Sequence, residues 1–308
     1  MLTRRNFLKQ TTTAFLGRMV SSTLPVSFFG DTTMPEPGIQ LYTFFNVIDN
    51  DVKGTLQTIA NIGYKNIESA FSRKGGYYGM KPKDFASLLK DMGLVWKSHH
   101  VVGAPIKRPA NMPPPTGPDG KPIAVPTLKN LRDNYQEVVD EVAEGEVPYL
   151  VCSNTPIATL EEVKSSIVVL NKTAEAAKKA GLRFAYHNHE KEFQVVEGVV
   201  PYELFLSETD PKLVQMELDV AWAIKGGADP IALFQQHPGR FPLWHLKDLD
   251  AERKTVLPVG KGTINYETVF KSASTAGLKN YFVEHDMPLD PFQSILESIS
   301  TMKRINAA

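Results

Sequence analysis

From Pro37 onwards, short runs of apolar and β-branched residues alternate with longer amphipathic stretches. This alternation is typical of repeated βα units that surround a parallel sheet. We count eight units, and the predicted strands are Ile39–Thr43, Asn66–Ser69, Val95–His100, Tyr149–Cys152, Arg183–His187, Val214–Asp219, Leu243–Leu246 and Tyr281–Glu284.

A glycine lies at each of several predicted turns from helix to strand, namely Gly63, Gly93, Gly181 and Gly277. A glycine in the left-handed conformation commonly ends a helix at such a turn. The pattern therefore predicts an α/β fold in which a single (β/α)8 TIM barrel occupies residues 35–308. A doubly wound open sheet is the alternative, although no Gly-x-Gly-x-x-Gly follows the first predicted strand to favour a dinucleotide fold.

Two loops fall at the carboxyl end of the predicted barrel, where the catalytic sites of this fold lie. Residues 103–126 contain too many prolines for a helix or a strand, and they follow the third predicted strand. This loop is either a lid over a substrate or a tolerated surface insertion. The segment Val259-Gly260-Lys261-Gly262 follows the seventh predicted strand and is either a tight turn that faces the site or a simple turn.

The composition restricts the class of partner. Lys plus Arg and Asp plus Glu number 34 each, so the chain has no strong overall field to attract nucleic acid or anionic lipid. Hydrophobic residues make up 42%, enough for a globular protein with a large core, and we expect no stable membrane insertion. The one cysteine, Cys152, lies in an apolar run and is interpreted as a buried structural thiol.

The N-terminus requires separate treatment. It reads Thr3-Arg4-Arg5-Asn6-Phe7-Leu8-Lys9 and continues into a modestly apolar stretch, which is typical of an export signal. The paired arginines, the following Phe-Leu and the nearby lysine resemble the twin-arginine signal. We expect residues 1–34 to be a removable export signal of this type and the mature protein to be periplasmic. An ordinary basic N-terminus is the alternative.

Four consecutive predicted strands end in a side chain that can bind a metal ion: His187, Asp219, His245 and Glu284. They are 32, 26 and 39 residues apart, close to the roughly 31 residues that one βα unit of a barrel occupies. Two imidazoles with two carboxylates suit one divalent ion such as Mn²⁺, Co²⁺, Zn²⁺ or Mg²⁺, with positions left for substrate oxygens. His189, two residues further along the same strand face, is the alternative first ligand.

The sequence around these residues resembles the xylose-isomerase-like barrel superfamily of sugar phosphate isomerases and epimerases, over roughly residues 38 to 300. The resemblance is carried by Ala185-Tyr186-His187-Asn188-His189-Glu190, Glu217-Leu218-Asp219, His245-Leu246-Lys247-Asp248, Gly260-Lys261-Gly262 and Val283-Glu284-His285-Asp286. It implies metal ligands at the ends of strands five to eight, on His187, Asp219, His245 and Glu284. Many sugar epimerases have a glutamate at the first position, and the histidine here is more similar to the inosose-dehydratase-like branch.

We therefore expect an enzyme that removes a proton from the carbon next to a carbonyl, with a metal ion polarising the carbonyl oxygen and stabilising the enediolate. Glu284 is expected to be both a ligand and a candidate base. Lys247 shares the inward face of His245, where a nearby cation would depress its pKa and make it a proton shuttle. A salt-bridged lysine at the rim is the alternative.

The candidate substrate-binding residues are further polar and aromatic side chains near the strand ends. His100, Glu68, His189 and Glu192 are placed to bind sugar hydroxyls, and Trp222 offers an apolar face for a pyranose ring. The expected partner is thus a small-molecule carbohydrate rather than nucleic acid, and the sequence is also compatible with a homo-oligomer.

Export favours a substrate without phosphate. The resemblance extends to enzymes that act on 3-keto-glycosides, in which the keto group acidifies the C2 hydrogen and permits β-elimination of the C1 substituent. A ketose 3-epimerase or isomerase shares the first step and is the alternative. Two other classes remain: a metal-dependent endonuclease of the AP type, disfavoured by the neutral charge, and a non-catalytic carbohydrate-binding barrel.

Overall fold

Eight parallel strands close into a barrel in the computed structural model, which describes residues 34–106 and 128–307. In chain order, the strands of the described residues, including two outside the barrel, are β1 (Gly38–Gln40), β2 (Asn66–Ser69), β3 (Val95–Val102), β4 (Tyr149–Asn154), β5 (Arg183–His187), β6 (Val214–Asp219), β7 (Leu243–Leu246), β8 (Asp248–Leu249), β9 (Val256–Leu257) and β10 (Asn280–Val283). β8 and β9 form a separate antiparallel ribbon, and β1 closes the barrel by pairing with both β2 and β10. The predicted (β/α)8 barrel is confirmed.

The helices pack around the outside of the barrel. In the described ranges they are α1 (Val52–Ile62), α2 (Pro82–Asp91), α3 (Leu131–Glu144), α4 (Leu160–Lys179), α5 (Pro201–Glu208), α6 (Val220–Lys225), α7 (Pro230–Gln236), α8 (Tyr266–Phe270), α9 (Ala273–Ala276) and α10 (Pro291–Ala307). In α4, Val163, Ile167, Leu170 and Ala174 are buried at helical spacing and form the stripe that faces the sheet. None of the helices in these ranges is both long and apolar enough to cross a membrane.

The predicted glycine turns are present. Gly63 ends α1 with φ 114° and Gly277 ends α9 with φ 79°, in the left-handed region that side chains rarely adopt. Gly93 and Gly181 have φ of 69° and 81°. These glycines end the helices where the chain turns back to the next strand.

The first predicted strand is too long. β1 ends at Gln40, and Leu41–Phe44 forms a 3₁₀ helix, because the Gln40 side chain accepts a hydrogen bond from the backbone N–H of Tyr42. At the other end of the chain, Glu284 directly follows β10 instead of ending it. The predicted loop 103–126 lies outside the described residues from position 107 onwards, and so does the predicted export signal apart from Met34.

The barrel interior changes in character along its axis. Apolar side chains, among them Val151, Ala185, Leu243 and Phe282, form a buried cluster between the strands. Polar side chains fill the region near the carboxyl ends of the strands. That end is where active sites of this fold are built, so the structure puts its buried polar residues where chemistry is expected.

Candidate active site

The four predicted metal-binding residues converge at the carboxyl end of the barrel. His187 and Asp219 are the last residues of β5 and β6, His245 lies in β7, and Glu284 follows β10. All four side chains are buried, and one ligand atom from each lies within 4.8 Å of the others. Side chains from four strands therefore surround a single point.

His187 has a free nitrogen for a cation. Its Nδ1 atom is buried without a hydrogen-bond partner among the described residues and lies 3.3 Å from Glu217 Oε2. Burial, aided by the neighbouring His245 and His100, holds the pKa of His187 well below its usual value. The imidazole is therefore neutral and has a lone pair available for a metal ion.

Glu284 is held in its ionised form. Burial alone would raise the pKa of its carboxyl, but Lys247 and His245 outweigh that effect and lower the pKa. The His245 Nδ1 atom lies 2.8 Å from Glu284 Oε2. A neutral imidazole, an ionised carboxylate, Asp219 and His245 together make a donor set that fits a divalent ion.

Lys247 lies at the centre of this acidic group, fully buried. Its Nζ atom is 2.9 Å from Asp219 Oδ2, 2.7 Å from Glu284 Oε2 and 2.8 Å from Asp286 Oδ2. Burial alone would lower the pKa of Lys247, but the three carboxylates hold it well above its usual value. Among these carboxylates alone, the shift is opposite to the one expected beside a metal cation. Lys247 is a protonated ammonium that is paired with these carboxylates, and it is not at the exposed rim.

A second layer of charged side chains lies behind the first. Glu217 Oε2 is 2.6 Å from His100 Nε2 and 3.2 Å from His245 Nε2, and Glu68 also contacts both imidazoles. Burial and the neighbouring Glu68 raise the pKa of Glu217 to about 7. Burial opposes protonation of His100, yet Glu68 and Glu217 raise its pKa to about 9. His100, His187, Glu217 and His245 form a second group whose ligand atoms lie close together.

The mouth of the site is a cavity of about 150 Å³. Its lining includes Tyr42, Phe71, Asn154, His189 and Asp286 together with His100, His187 and Glu284. The His189 side chain is 41% exposed, whereas that of His187 is 3% exposed. His187 thus belongs to the buried donor group, and His189 faces the space that a substrate would enter.

The predicted substrate-binding residues separate into two groups. His100 and His189 line the cavity. Glu68 departs from the expectation, because it is fully buried and bonded to Gln40, Ser98 and the imidazoles. It therefore has no free oxygen directed at the cavity.

Glu192 and Trp222 do not line that cavity, although both lie near His189. Glu192 is buried and accepts a hydrogen bond from the Tyr186 hydroxyl at 2.8 Å, and its Oε1 atom lies 3.9 Å from His189 Nδ1. Trp222 is half-buried, and its ring lies 5.1 Å from Lys247 Nζ and 4.6 Å from Lys225 Nζ. Two cations thus lie by the ring that was expected to stack on a pyranose.

Glu217, Asp286, Tyr42 and Phe71 were missed by reasoning from the sequence. The spacing of Glu217 gives a usable signal, because it lies two residues before Asp219 and so points the same way from β6. Asp286 lies in the loop after β10, and Tyr42 lies in a 3₁₀ helix. Residue spacing along strands gives no signal for either position.

The segment Val259-Gly260-Lys261-Gly262 is organised around Asp248. The buried Asp248 carboxylate accepts hydrogen bonds from the backbone N–H groups of Leu249, Gly260 and Ile264, at 2.9, 2.9 and 3.0 Å. A Cβ at Gly262 would lie 2.4 Å from Asp248 Oδ1, so only glycine fits there. The two glycines therefore build a turn that supports the end of β7.

Fold and site together define a barrel with a buried, mixed imidazole and carboxylate centre at its carboxyl end. The chain matches the family described as xylose isomerase-like TIM barrel over residues 56–305. Because that match spans most of the chain, the chain belongs to the xylose isomerase-like TIM barrel family.

Individual relatives are more distant. The chain is similar to the inosose dehydratase of Geobacillus thermodenitrificans, with 27% identity over 177 residues that cover 50% of this chain and 58% of that protein. The chain thus spans little more than half the length of this curated relative.

Two solved structures illustrate the range of similarity. The chain resembles a sugar phosphate isomerase/epimerase from Parabacteroides distasonis, with TM-score 0.71, 27% identity and coverage of 88% of this chain and 98% of that chain. It also resembles the IOLI protein, whose structure contains a zinc atom, with TM-score 0.64, 16% identity and coverage of 89% and 98%. The second likeness is one of fold.

Proposed function

We propose that the protein is a divalent-metal-dependent enzyme that removes a proton from the carbon next to the carbonyl of a sugar or keto-sugar. The observation that carries this proposal is the convergence of His187, Asp219, His245 and Glu284 within 4.8 Å, beside a buried ammonium group. The named relatives, a dehydratase and an isomerase/epimerase, support a reaction of this class.

His187, Asp219, His245 and Glu284 would hold one ion, of Mn²⁺, Co²⁺, Zn²⁺ or Mg²⁺. When bound, such an ion would polarise the substrate carbonyl and stabilise negative charge on its oxygen. The zinc in the fold relative is in keeping with a metal here.

Glu284 and Lys247 are the candidate residues for the proton transfers. Glu284 lines the cavity in its ionised form and is the candidate base. Lys247 is protonated and lies 2.7 Å from Glu284 Oε2, so it stabilises the ionised base and is the candidate proton shuttle that reaches the substrate through Glu284.

The proposed outcome is β-elimination from a 3-keto-glycoside. A histidine at position 187 and the similarity to a dehydratase, an enzyme that eliminates, both favour a lyase. The alternative is a ketose 3-epimerase or isomerase, which the similarity to a sugar phosphate isomerase/epimerase favours. Both outcomes begin with the same proton abstraction.

The products separate these outcomes. The purified protein is supplied with Mn²⁺, incubated with 3-keto-glycosides and with free ketoses, and followed by ¹H NMR. Release of the C1 substituent with formation of a C1=C2 double bond would support the lyase. Appearance of an epimer of a ketose, with no elimination, would overturn the lyase in favour of the alternative.

We also propose that the protein is exported to the periplasm, on the basis of Arg4, Arg5 and the Phe7-Leu8 pair. Replacement of both arginines by lysine keeps the charge but removes the twin-arginine pattern. Cell fractionation is expected to find the unaltered protein in the periplasm and the double variant in the cytoplasm. Equal distribution of the two would contradict export by this route.

A further inference from the structure

A second cavity adjoins the one at the mouth of the site. It has a volume of about 140 Å³, and it shares Phe71 and His100 with the first cavity. We call the first the metal-side cavity and the second the side cavity, which Tyr77, Val102, Leu128 and Val138 also line. Phe71 and His100 belong to both linings, so the two cavities are neighbours.

The side cavity differs from the metal-side cavity in its chemistry. Most of its lining surface is apolar, and the lining includes Phe71, Tyr77, Val102, Leu128 and Val138. His99 is neutral, since burial lowers its pKa to about 3, and its ring packs 4.8 Å from that of Tyr77. The opposite charges of Lys129 and Glu141 are paired with each other. Such a wall offers few partners for sugar hydroxyls, which are costly to bury without hydrogen bonds.

The size of the side cavity indicates what it can hold. A dry apolar cavity of about 150 Å³ is known to accommodate a benzene ring. The side cavity is of that order, and it is apolar, so it fits one aromatic ring or a small aliphatic group. A free monosaccharide in the metal-side cavity would leave it unfilled.

We propose that the side cavity receives the apolar aglycone of a glycoside substrate, while the keto-sugar ring lies in the metal-side cavity. This inference rests on the proposed function and adds to it a substrate class: 3-keto-glycosides whose C1 substituent carries one ring. In the reaction the C2–H bond and the C1–O bond break, a C1=C2 double bond forms, and the aglycone leaves as an alcohol after it gains a proton. The elimination needs no oxidant or reductant.

The test uses two substrates with leaving alcohols of similar acidity: methyl and benzyl 3-keto-glucosides of the same anomeric configuration. The unaltered protein is expected to favour the benzyl substrate in kcat/KM by at least about tenfold, since burial of an aromatic ring contributes at least that much. The Val138→Phe variant fills the side cavity, where Val138 is 3% exposed on α3. It is expected to remove the preference by lowering kcat/KM for the benzyl substrate to about the value for the methyl substrate.

The matched control is Val168→Phe, the same substitution at a position that is 66% exposed on α4. It is expected to keep the preference for the benzyl substrate. A second cavity variant, Val138→Ala, enlarges the same space and should raise kcat/KM for a naphthylmethyl 3-keto-glucoside above that of the unaltered protein. This gain of activity cannot arise from a folding defect.

The outcomes distinguish a failure of the proposed aglycone cavity from a failure of the proposed function. Elimination from both substrates with equal kcat/KM, unaffected by either Val138 variant, would overturn the aglycone cavity and leave the proposed function intact. Absence of elimination and of deuterium exchange at the carbon next to the carbonyl, with every 3-keto-glycoside and ketose, would overturn the proposed function, and the aglycone cavity with it.

Discussion

The carboxylate of Glu68 accepts a hydrogen bond from Nε2 of His245. The other ring nitrogen of His245 faces the candidate metal centre, 2.8 Å from Glu284 Oε2. A carboxylate that holds the far side of a metal-binding imidazole fixes its orientation and increases its basicity. We therefore interpret Glu68 as a positioning residue for His245 instead of a ligand of sugar hydroxyls.

Substitution Glu68→Gln should weaken metal binding by about 10- to 100-fold, because the imidazole loses its charged acceptor. Competition with a chromophoric chelator measures the affinity directly and independently of activity. Glu267→Gln, an exposed site on α8, is the control and should bind as tightly as the unaltered protein. Equal affinities for all three proteins would show that Glu68 does not orient the ligand.

His187 and His189 should behave differently when each is replaced by alanine. His187 belongs to the buried donor group, so His187→Ala should lower metal affinity by at least about 100-fold. His189 lines the cavity, so His189→Ala should retain the metal and change KM or kcat. Metal content after gel filtration, measured by plasma mass spectrometry, distinguishes the two. The reverse pattern would make His189 the ligand.

Lys247→Met should destabilise the metal-free protein by about 3 to 5 kcal/mol, the usual cost of removing one partner from a buried ion pair. Asp219, Glu284 and Asp286 would otherwise remain buried without their cation. Urea denaturation gives the free energy of unfolding, with exposed Lys279→Met as the control. A divalent ion should restore part of the lost stability. An unchanged free energy of unfolding would contradict the assigned charge arrangement.

Cys152 should not react in the native protein. It is fully buried, and burial raises the pKa of its thiol, so the reactive thiolate is scarce at pH 8. Ellman's reagent should therefore detect almost no thiol in the native protein and the single cysteine after denaturation in urea. Rapid modification without denaturant would show that the region around β4 opens to solvent.

Much of the barrel follows from the sequence because its strands are short apolar runs that end in polar residues. β5, β6 and β7 begin and end where the pattern predicts them. The strand ends also place His187, Asp219 and His245 on one rim, since the carboxyl ends of all parallel barrel strands lie at the same end of the barrel. β1 is shorter than predicted, because a single side-chain cap at Gln40 starts a 3₁₀ helix.

The protonation state of Lys247 and the contacts of Glu68 behind the metal-binding residues could not be predicted from the spacing of residues along the strands. The sign of the pKa shift of Lys247 depends on three carboxylates from two different strand ends and a loop. Glu68 was correctly assigned to the end of β2, but its role depends on the neighbours that it reaches across the barrel, including His245. Such contacts arise from barrel closure, which residue spacing along one strand does not describe.

The central claim is that the metal-loaded site removes a proton from the carbon next to a sugar carbonyl. Its most direct test is ¹H NMR of a 3-keto-glucoside incubated in D₂O with the protein and Mn²⁺. The account predicts deuterium exchange or elimination at C2 that is abolished by a chelator, restored by added metal and absent in the Glu284→Gln variant. Exchange or elimination that survives chelation would contradict it. So would a metal-loaded protein that exchanges no hydrogen next to the carbonyl in any keto-sugar supplied.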